Sequence, residues 1–347
     1  MPTTYAIPDG RTVMAATTYT GTGATQSISN AVNGVSMQPD WVWFKRRGAV
    51  ENHWLTDSVR GSTKGLFSNL TDAEATRTDQ LTSFNSNGFT LGADAAGYSN
   101  VSGQSYIAWQ WKAGGTAVTN TAGSITSSVS ANTTAGFSVV TYTGTGSAAT
   151  VGHGLGVAPS MIFGKNRTSG TPGWPVYHAS VGNTGALILN STTATDTSSA
   201  YWNNTSPTSS VFSIGTGTSV NTSTQNYVFY CFAPVAGYSA FGSYTGNAST
   251  DGPFVYLGFR PRFIMIKRSS GGTNSWEVRD TARDTYNTVD DRLFPNTSAA
   301  EDANNEGVDF LSNGFKIRNS GSGCNASGET YIYAAFAENP FKYANAR

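Results

Sequence analysis

Histidine and cysteine are the residue types in this sequence that most often bind metals or act as nucleophiles. The 347-residue chain has three histidines, His53, His153 and His178, and two cysteines, Cys231 and Cys324. No His-x-His, Glu-x-x-His or paired-cysteine spacing links them, so the sequence predicts neither a metal site nor a cofactor. Because the cysteines fall in different copies of the repeat described below, we expect free thiols.

Two aspartates recur in a similar setting and are the next candidates for chemistry. Asp57 and Asp280 follow a tryptophan by three or four residues, and His178 stands at the corresponding place in the middle of the chain. An acid catalyst of the glycosidase type needs a second carboxylate and a raised pKa. The histidine argues against a shared catalytic role. We therefore expect these aspartates to bond to a turn or to the nearby Arg60 and Arg283.

Other catalytic signatures are weak or absent. Asp284, Asp290 and Asp291 could bind calcium, but they lack the spacing and glycine of a calcium loop. The Gly-x-Gly sequences at 144–146 and 215–217 are not followed by Lys-Ser/Thr, so they predict hairpin turns and not phosphate binding. No Gly-x-Ser-x-Gly nucleophile motif occurs. No residue is predicted to be catalytic, and the chain is expected not to be an enzyme.

The aromatic sequence Tyr201-Trp202-Asn203-Asn204 is the strongest candidate for binding. It lies between Ser/Thr-rich stretches and has no equivalent elsewhere in the chain. Exposed aromatic rings stack on the C–H faces of sugars, and amides bond to sugar hydroxyls, so the four residues predict a glycan platform. The alternative is an aromatic loop packed into the core.

The elements around these residues repeat three times. A Tyr-Thr-Gly sequence, a Pro-led apolar run ending in lysine, a tryptophan and a tyrosine-led strand follow one another in each copy. The successive lysines are 120 and 102 residues apart, which is the length of a domain and too long for a solenoid repeat. The repeated positions are, in this order, Tyr19, Lys45, Trp54 and Tyr106; Tyr142, Lys165, Trp174 and Tyr227; Tyr244, Lys267, Trp276 and Tyr331.

Residue usage predicts that every copy is β. The apolar runs are short and rich in Val, Ile, Phe, Tyr and Trp, and Asn-Gly pairs at 87–88 and 313–314 predict hairpins. We therefore predict an all-β chain of three tandem antiparallel β-sandwich modules, jelly-roll-like in type. The predicted divisions are an N-terminal docking arm (1–16), module 1 (17–113), a Ser/Thr/Gly/Ala linker (114–136), module 2 (137–238) and module 3 (239–347). Alternation within 124–130 allows an edge strand in place of a linker.

Charge and hydropathy exclude several classes of partner. The net charge is zero and charged residues make up only 12% of the chain, so nucleic-acid binding is not expected. No apolar stretch reaches the roughly 20 residues that span a bilayer, and residues 1–10 do not resemble a signal peptide.

Three segments resemble repeat modules in virion proteins of tailed phages, especially marine ones. They are Trp-Lys-Ala-Gly-Gly at 111–115, Gly-Ser-Ile at 123–125 and Ala-Phe-Ala-Glu-Asn-Pro-Phe-Lys-Tyr at 335–343. The resemblance covers about 17–347 and carries no catalytic motif with it. It implies a protein made in the host cytoplasm and located in the virion, with other virion proteins as partners and a homotrimer as the expected assembly.

The function expected from this resemblance is non-enzymatic. A tail fibre or tip protein that recognises a host-surface glycan comes first. A capsid or tail decoration protein with a purely structural role is the second alternative. A depolymerase of host glycans is the third, and it would require a pair of carboxylates in a cleft.

Overall fold

The structure, a computed structural model, describes residues 5–303 and 306–337 and is built almost wholly from β-strands. Strands account for 41% of the residues and helices for 3%. The all-β prediction is therefore confirmed. Residues 1–4 of the predicted arm, and residues 304–305 and 338–347 of the predicted third module, lie outside the described part.

The strands fall into three repeat units. Unit 1 contains β1 (Met14–Thr20), β2 (Gln26–Ser29), β3 (Trp41–Arg46), β4 (Trp54–Asp57), β5 (Lys64–Gly65), β6 (Ala75–Thr76), β7 (Leu81–Asn85), β8 (Gly88–Leu91) and β9 (Ser105–Trp111). Unit 2 contains β10 (Val118–Asn120), β11 (Ser127–Asn132), β12 (Phe137–Thr143), β13 (Ala149–Gly152), β14 (Met161–Asn166), β15 (Pro175–His178), β16 (Gly185–Ile188), β17 (Asp196–Thr197), α1 (Ser199–Trp202), β18 (Val211–Ile214), α2 (Thr218–Asn221) and β19 (Asn226–Phe232). Unit 3 contains β20 (Ser239–Thr245), β21 (Phe254–Tyr256), β22 (Pro261–Arg268), β23 (Glu277–Asp280), β24 (Val308–Leu311), β25 (Gly314–Ile317) and β26 (Thr330–Ala337).

One sheet order recurs in all three units. Unit 1 has the order β1-β9-β3-β4 and unit 3 has β20-β26-β22-β23, while β12-β19-β14-β15 form the middle of an eight-stranded sheet in unit 2. A smaller antiparallel sheet accompanies each one: β2-β8-β7, β13-β18 and β21-β25-β24. Both predicted Asn-Gly hairpins are present, since Asn85 pairs with Gly88 and Leu311 pairs with Gly314. The sequence repeat is therefore also a repeat of strand pairing.

The central strands of each main sheet are buried on both faces, and in units 1 and 2 successive residues of these strands alternate between two hydrophobic clusters. In β3, Val42 and Phe44 face the smaller sheet of unit 1 and pack in one cluster with Phe89. Trp41 and Trp43 face the opposite way, into a cluster that contains residues of all three units. Independent folding of each unit stays a prediction, but the units share a central core that the sequence did not indicate.

The Tyr-Thr-Gly sequences are scaffold elements. The ring of Tyr142 stacks on that of Tyr227 at 5.1 Å, and its hydroxyl donates to the carbonyl of Val220 at 2.7 Å. Tyr19 and Tyr244 make the corresponding contacts. Glycine follows because the chain passes close to the backbone at the end of α2: a Cβ on Gly144 would lie 2.3 Å from the carbonyl oxygen of Thr222.

The structure corrects the predicted linker and the boundary of the predicted docking arm, whose docking role stays a prediction. Residues 114–136 contain β10 and β11, which extend the main sheet of unit 2. A strand within 124–130 was the predicted alternative, and β11 is that strand, although β10 and not β11 lies at the sheet edge. Within the arm, Met14 already pairs with Trp111 in β1, and Ile7 is buried in the central core. Alternation was the useful signal in the first case, because Ile125 and Val129, four residues apart, both lie in the core of unit 2.

Candidate functional site

The predicted glycan platform is not an exposed aromatic surface. Trp202 is only 1% exposed and packs edge-on against Tyr177 and Phe229. Tyr201 is half-buried and donates to the carboxylate of Asp196 at 3.1 Å. Asn203 and Asn204 are exposed. A buried indole cannot stack on a sugar, so the platform prediction is wrong for Trp202, and the packed-loop alternative is the one observed.

The burial of Trp202 has a local cause. Units 1 and 3 place a strand, β7 or β24, at the outer edge of the smaller sheet. Unit 2 has the short helix α1 in this part of its sequence, and α1 lies against β18. The indole fills the core of unit 2 together with Phe212 and Ile214. A residue absent from the other copies therefore compensates for a missing strand.

Asp57 belongs to a buried ion network between units 1 and 2. Its carboxylate accepts from Arg60 Nε at 2.5 Å and from the Tyr230 hydroxyl of unit 2 at 2.9 Å. Arg60 also contacts Glu74 at 3.0 Å, and Glu74 forms an ion pair with Arg167 of unit 2 at 2.8 Å. Asp57 and Arg60 have no exposed side-chain surface. The predicted bond between Asp57 and Arg60 is confirmed.

Asp280 occupies the same position at the junction of units 3 and 1. Arg283 Nε donates to its carboxylate at 2.6 Å, and Trp109 Nε1 of unit 1 donates to it at 2.9 Å. Glu301 bridges Arg283 to Arg47 of unit 1. The predicted bond to Arg283 is likewise confirmed. Both aspartates therefore join repeat units and have their oxygens occupied by donors.

The third junction, between units 2 and 3, has the same positions but no charges. His178 stands in place of aspartate, and its Nε2 contacts the carbonyl of Tyr333 of unit 3 at 3.1 Å. Val181 takes the place of the arginine, and Thr195 bonds to the backbone of Ser269. The three junctions thus form a closed ring in which each unit contacts both others, as in a cyclic trimer.

A second set of contacts closes the ring, and it corrects the predicted alignment of tryptophans. When the strand registers are continued to the shared lysines, Trp174 and Trp276 fall opposite them, whereas His53 and not Trp54 takes this position in unit 1. Trp174 Nε1 donates to the carbonyl of Phe67 at 2.9 Å, and Trp276 Nε1 donates to that of Ile188 at 3.0 Å. His53 Nε2 lies 3.0 Å from the carbonyl of Phe294. Each contact joins one unit to the next.

The shared lysines are buried scaffold residues. Lys165 donates to the carbonyls of Asn166 and Ser169, and Lys45 and Lys267 also bond to backbone carbonyls. Burial lowers the pKa of each of these amines to about 8. Their placement indicates that these shared positions stabilise the fold.

His178 gives the folded protein a specific dependence on pH. Burial lowers its pKa from 6.5 to about 4, with a smaller opposing effect from the bond to Tyr333. Between these values the unfolded chain binds a proton that the folded chain does not, so stability falls as pH decreases from 6.5 towards 4. At pH 5 we expect a loss of about 2 kcal/mol relative to pH 7 from this residue. Urea unfolding at both pH values should show a smaller loss for His178→Gln, and an unchanged loss would contradict this assignment.

The remaining predicted clusters do not form a site. Over residues 5–303 and 306–337, no group of three or more His, Cys, Asp or Glu side chains is arranged to hold a metal. Asp284 accepts from the backbone N–H groups of Asp290 and Asp291. Cys231 and Cys324 are buried free thiols. No helix in the described part is both long and apolar enough to cross a membrane.

Comparison with known proteins adds a family but no activity. No curated protein matches this sequence. A family model described as a domain of unknown function, DUF7483, matches residues 10–340. The match runs through all three repeat units and the ring that they close. The chain belongs to the DUF7483 domain family.

Proposed function

We propose that the chain is a non-enzymatic structural protein of a tailed-phage virion that recognises a host-surface glycan from a tail fibre or tip. The observation that carries the proposal is that the ionisable residues at the repeated positions make structural contacts. Asp57–Arg60 and Asp280–Arg283 are buried ion pairs at junctions between units, and the shared lysines bond to backbone carbonyls. Because these residues are buried in the scaffold, we expect exposed residues to bind the ligand.

The surface and the resemblance support the same proposal. Gly, Ser, Thr and Asn dominate the exposed loops, and the charged fraction of 12% is about half the usual share. Such a surface suits binding of a neutral, hydroxyl-rich ligand better than binding of nucleic acid. The resemblance of 111–115, 123–125 and 335–343 to virion repeat modules is the reason for assigning the chain to a phage particle. Other virion proteins, and further copies of this chain in a trimer, are the proposed partners.

The closed ring favours the second candidate, a capsid or tail decoration protein. Its three junctions place related sheets in a cyclic order, as a symmetric trimer would. A ring of this type could sit where three copies of another virion protein meet. This role would need no ligand.

Electron microscopy of antibody-labelled particles distinguishes these roles. We expect label at the tail tip of the phage that encodes the chain, and a loss of host adsorption when antibody is bound. Regular label along the capsid or tail would support the decoration role. A chain that is missing from purified particles and remains in the lysate supernatant would overturn both proposals.

A further inference from the structure

We propose that the outer sheet of unit 3 carries a carbohydrate-binding face, defined by Phe254, Tyr256 and Lys316. This inference rests on the proposed function and gives it a location. Phe254 and Tyr256 are 45% and 68% exposed, and Val255 between them is buried. Residues two apart on a strand point to the same side and are separated by about 7 Å. Two aromatic rings therefore stand next to each other on the solvent side of β21.

Only unit 3 has this pair. In strand β2 of unit 1, Ser27 precedes the buried Ile28 and Ser29 follows it. This strand pairs with β8 as β21 pairs with β25, so the two serines take the positions of Phe254 and Tyr256. Strand β13 of unit 2 has Thr150 and Gly152 around Val151. Since the same sheet forms with serine at these positions, folding does not require the rings. Two large apolar side chains exposed without a role in folding indicate a binding surface.

Polar groups next to the rings can bond to sugar hydroxyls. Lys316 lies directly across from Phe254, and its amine contacts Asp251 at 2.7 Å. The Asp251 side chain is 83% exposed, which leaves acceptor capacity for a ligand. On the other side of Lys316, Asp309 forms an ion pair with Arg318 at 2.5 Å. Aromatic rings bordered by charged donors and acceptors suit the C–H faces and hydroxyls of a sugar.

Size and charge favour a glycan over a second copy of the chain. The two rings expose roughly 250 Å² together, whereas a stable protein interface buries about 800 Å² per partner. The cores of such interfaces are also depleted in charged residues. Lys316, Asp251, Asp309 and Arg318 form a charged group next to Phe254 on this sheet. A flexible polysaccharide chain can use so small a surface, and repeated sugars compensate for weak single contacts.

The test is binding of the full-length protein to a printed panel of bacterial surface polysaccharides. The double variant Phe254→Ser/Tyr256→Ser reproduces the residues of unit 1, so it should keep the wild-type melting temperature. We expect it to bind at least about tenfold more weakly than the wild type. The control is Tyr286→Ser, because Tyr286 is 82% exposed and belongs to the loop between β23 and β24, not to β21 or β25; binding by this variant should be unchanged.

Four results would overturn the inference. The first is equal binding by the double variant and the wild type. The second is binding by the wild type to none of the polysaccharides. The third is a wild-type dimer that the double variant dissociates, as measured by sedimentation, since this would identify a second copy as the occupant. The fourth is equal adsorption to host cells by labelled particles with and without the two rings. This result would exclude the face as the binding site and leave the proposed virion function intact.

Discussion

Replacing Arg60 by valine is expected to lower the free energy of unfolding by about 3–5 kcal/mol. The change removes the guanidinium that bonds to Asp57 and Glu74, and it leaves the Asp57 carboxylate in a fully buried position with the Tyr230 hydroxyl as its side-chain donor. A buried charge without a partner is costly because it has lost its hydration. Denaturant unfolding at pH 7 measures the loss.

Unit 2 provides the matched control for this variant. Its corresponding residues are His178 and Val181, so Asp57→His/Arg60→Val transfers the uncharged junction into unit 1. We expect the double variant to recover about half of the stability that Arg60→Val loses, since no carboxylate remains buried without its arginine. A single variant that costs less than 1 kcal/mol, or a double variant no more stable than the single, would contradict the proposed role of the ion network.

Truncation of Trp41 to alanine should have a comparable effect, through packing instead of charge. Its ring stacks on Trp111 of unit 1 and on Tyr230 of unit 2, in both cases at 4.5 Å. The surrounding core is dense: the cavity lined by Trp41, Trp43, Trp111 and neighbouring side chains has a volume of only about 10 Å³. Removal of a buried tryptophan costs about 3–5 kcal/mol. Thermal unfolding should shift to lower temperature in a single transition.

Trp41→Phe is the control for this packing effect. The indole N–H of Trp41 is buried and has no hydrogen-bond acceptor in the structure. Phenylalanine keeps an aromatic ring and removes this unsatisfied donor, which offsets part of the lost contact. We expect its cost to be less than half that of alanine. Equal losses in the two variants would show that ring packing does not account for the stability of the centre.

The elements of the fold were predictable because they depend on local residue patterns. Short β-branched and aromatic runs specified the strands, and the recurring Tyr-Thr-Gly and lysine positions showed that the pairing repeats. The ring was not predictable, because many of its contacts end on backbone carbonyls. Trp174 and Trp276 bond to the carbonyls of Phe67 and Ile188, which any residue at those positions would supply.

The spacing of residues in the sequence already indicated that Trp54 does not correspond to Trp174 and Trp276. All three tryptophans follow their lysine by nine residues, which made them look equivalent. Asp57, however, follows Trp54 by three residues, whereas His178 and Asp280 follow their tryptophans by four. The hairpin of unit 1 is one residue shorter, so His53 faces the position that tryptophan takes in the other units. Trp202 could not be placed from sequence, because its burial depends on a strand that unit 2 lacks.

Closure of the three units into one cooperative ring is tested most directly by native-state hydrogen exchange of Trp41→Ala. Peptides from β9, β19 and β26 report on the central strand of each unit. We expect all three to lose protection by the same free energy, because the central core joins them. Loss of protection in β9 alone, with β19 and β26 unchanged, would contradict the ring and favour three independent modules.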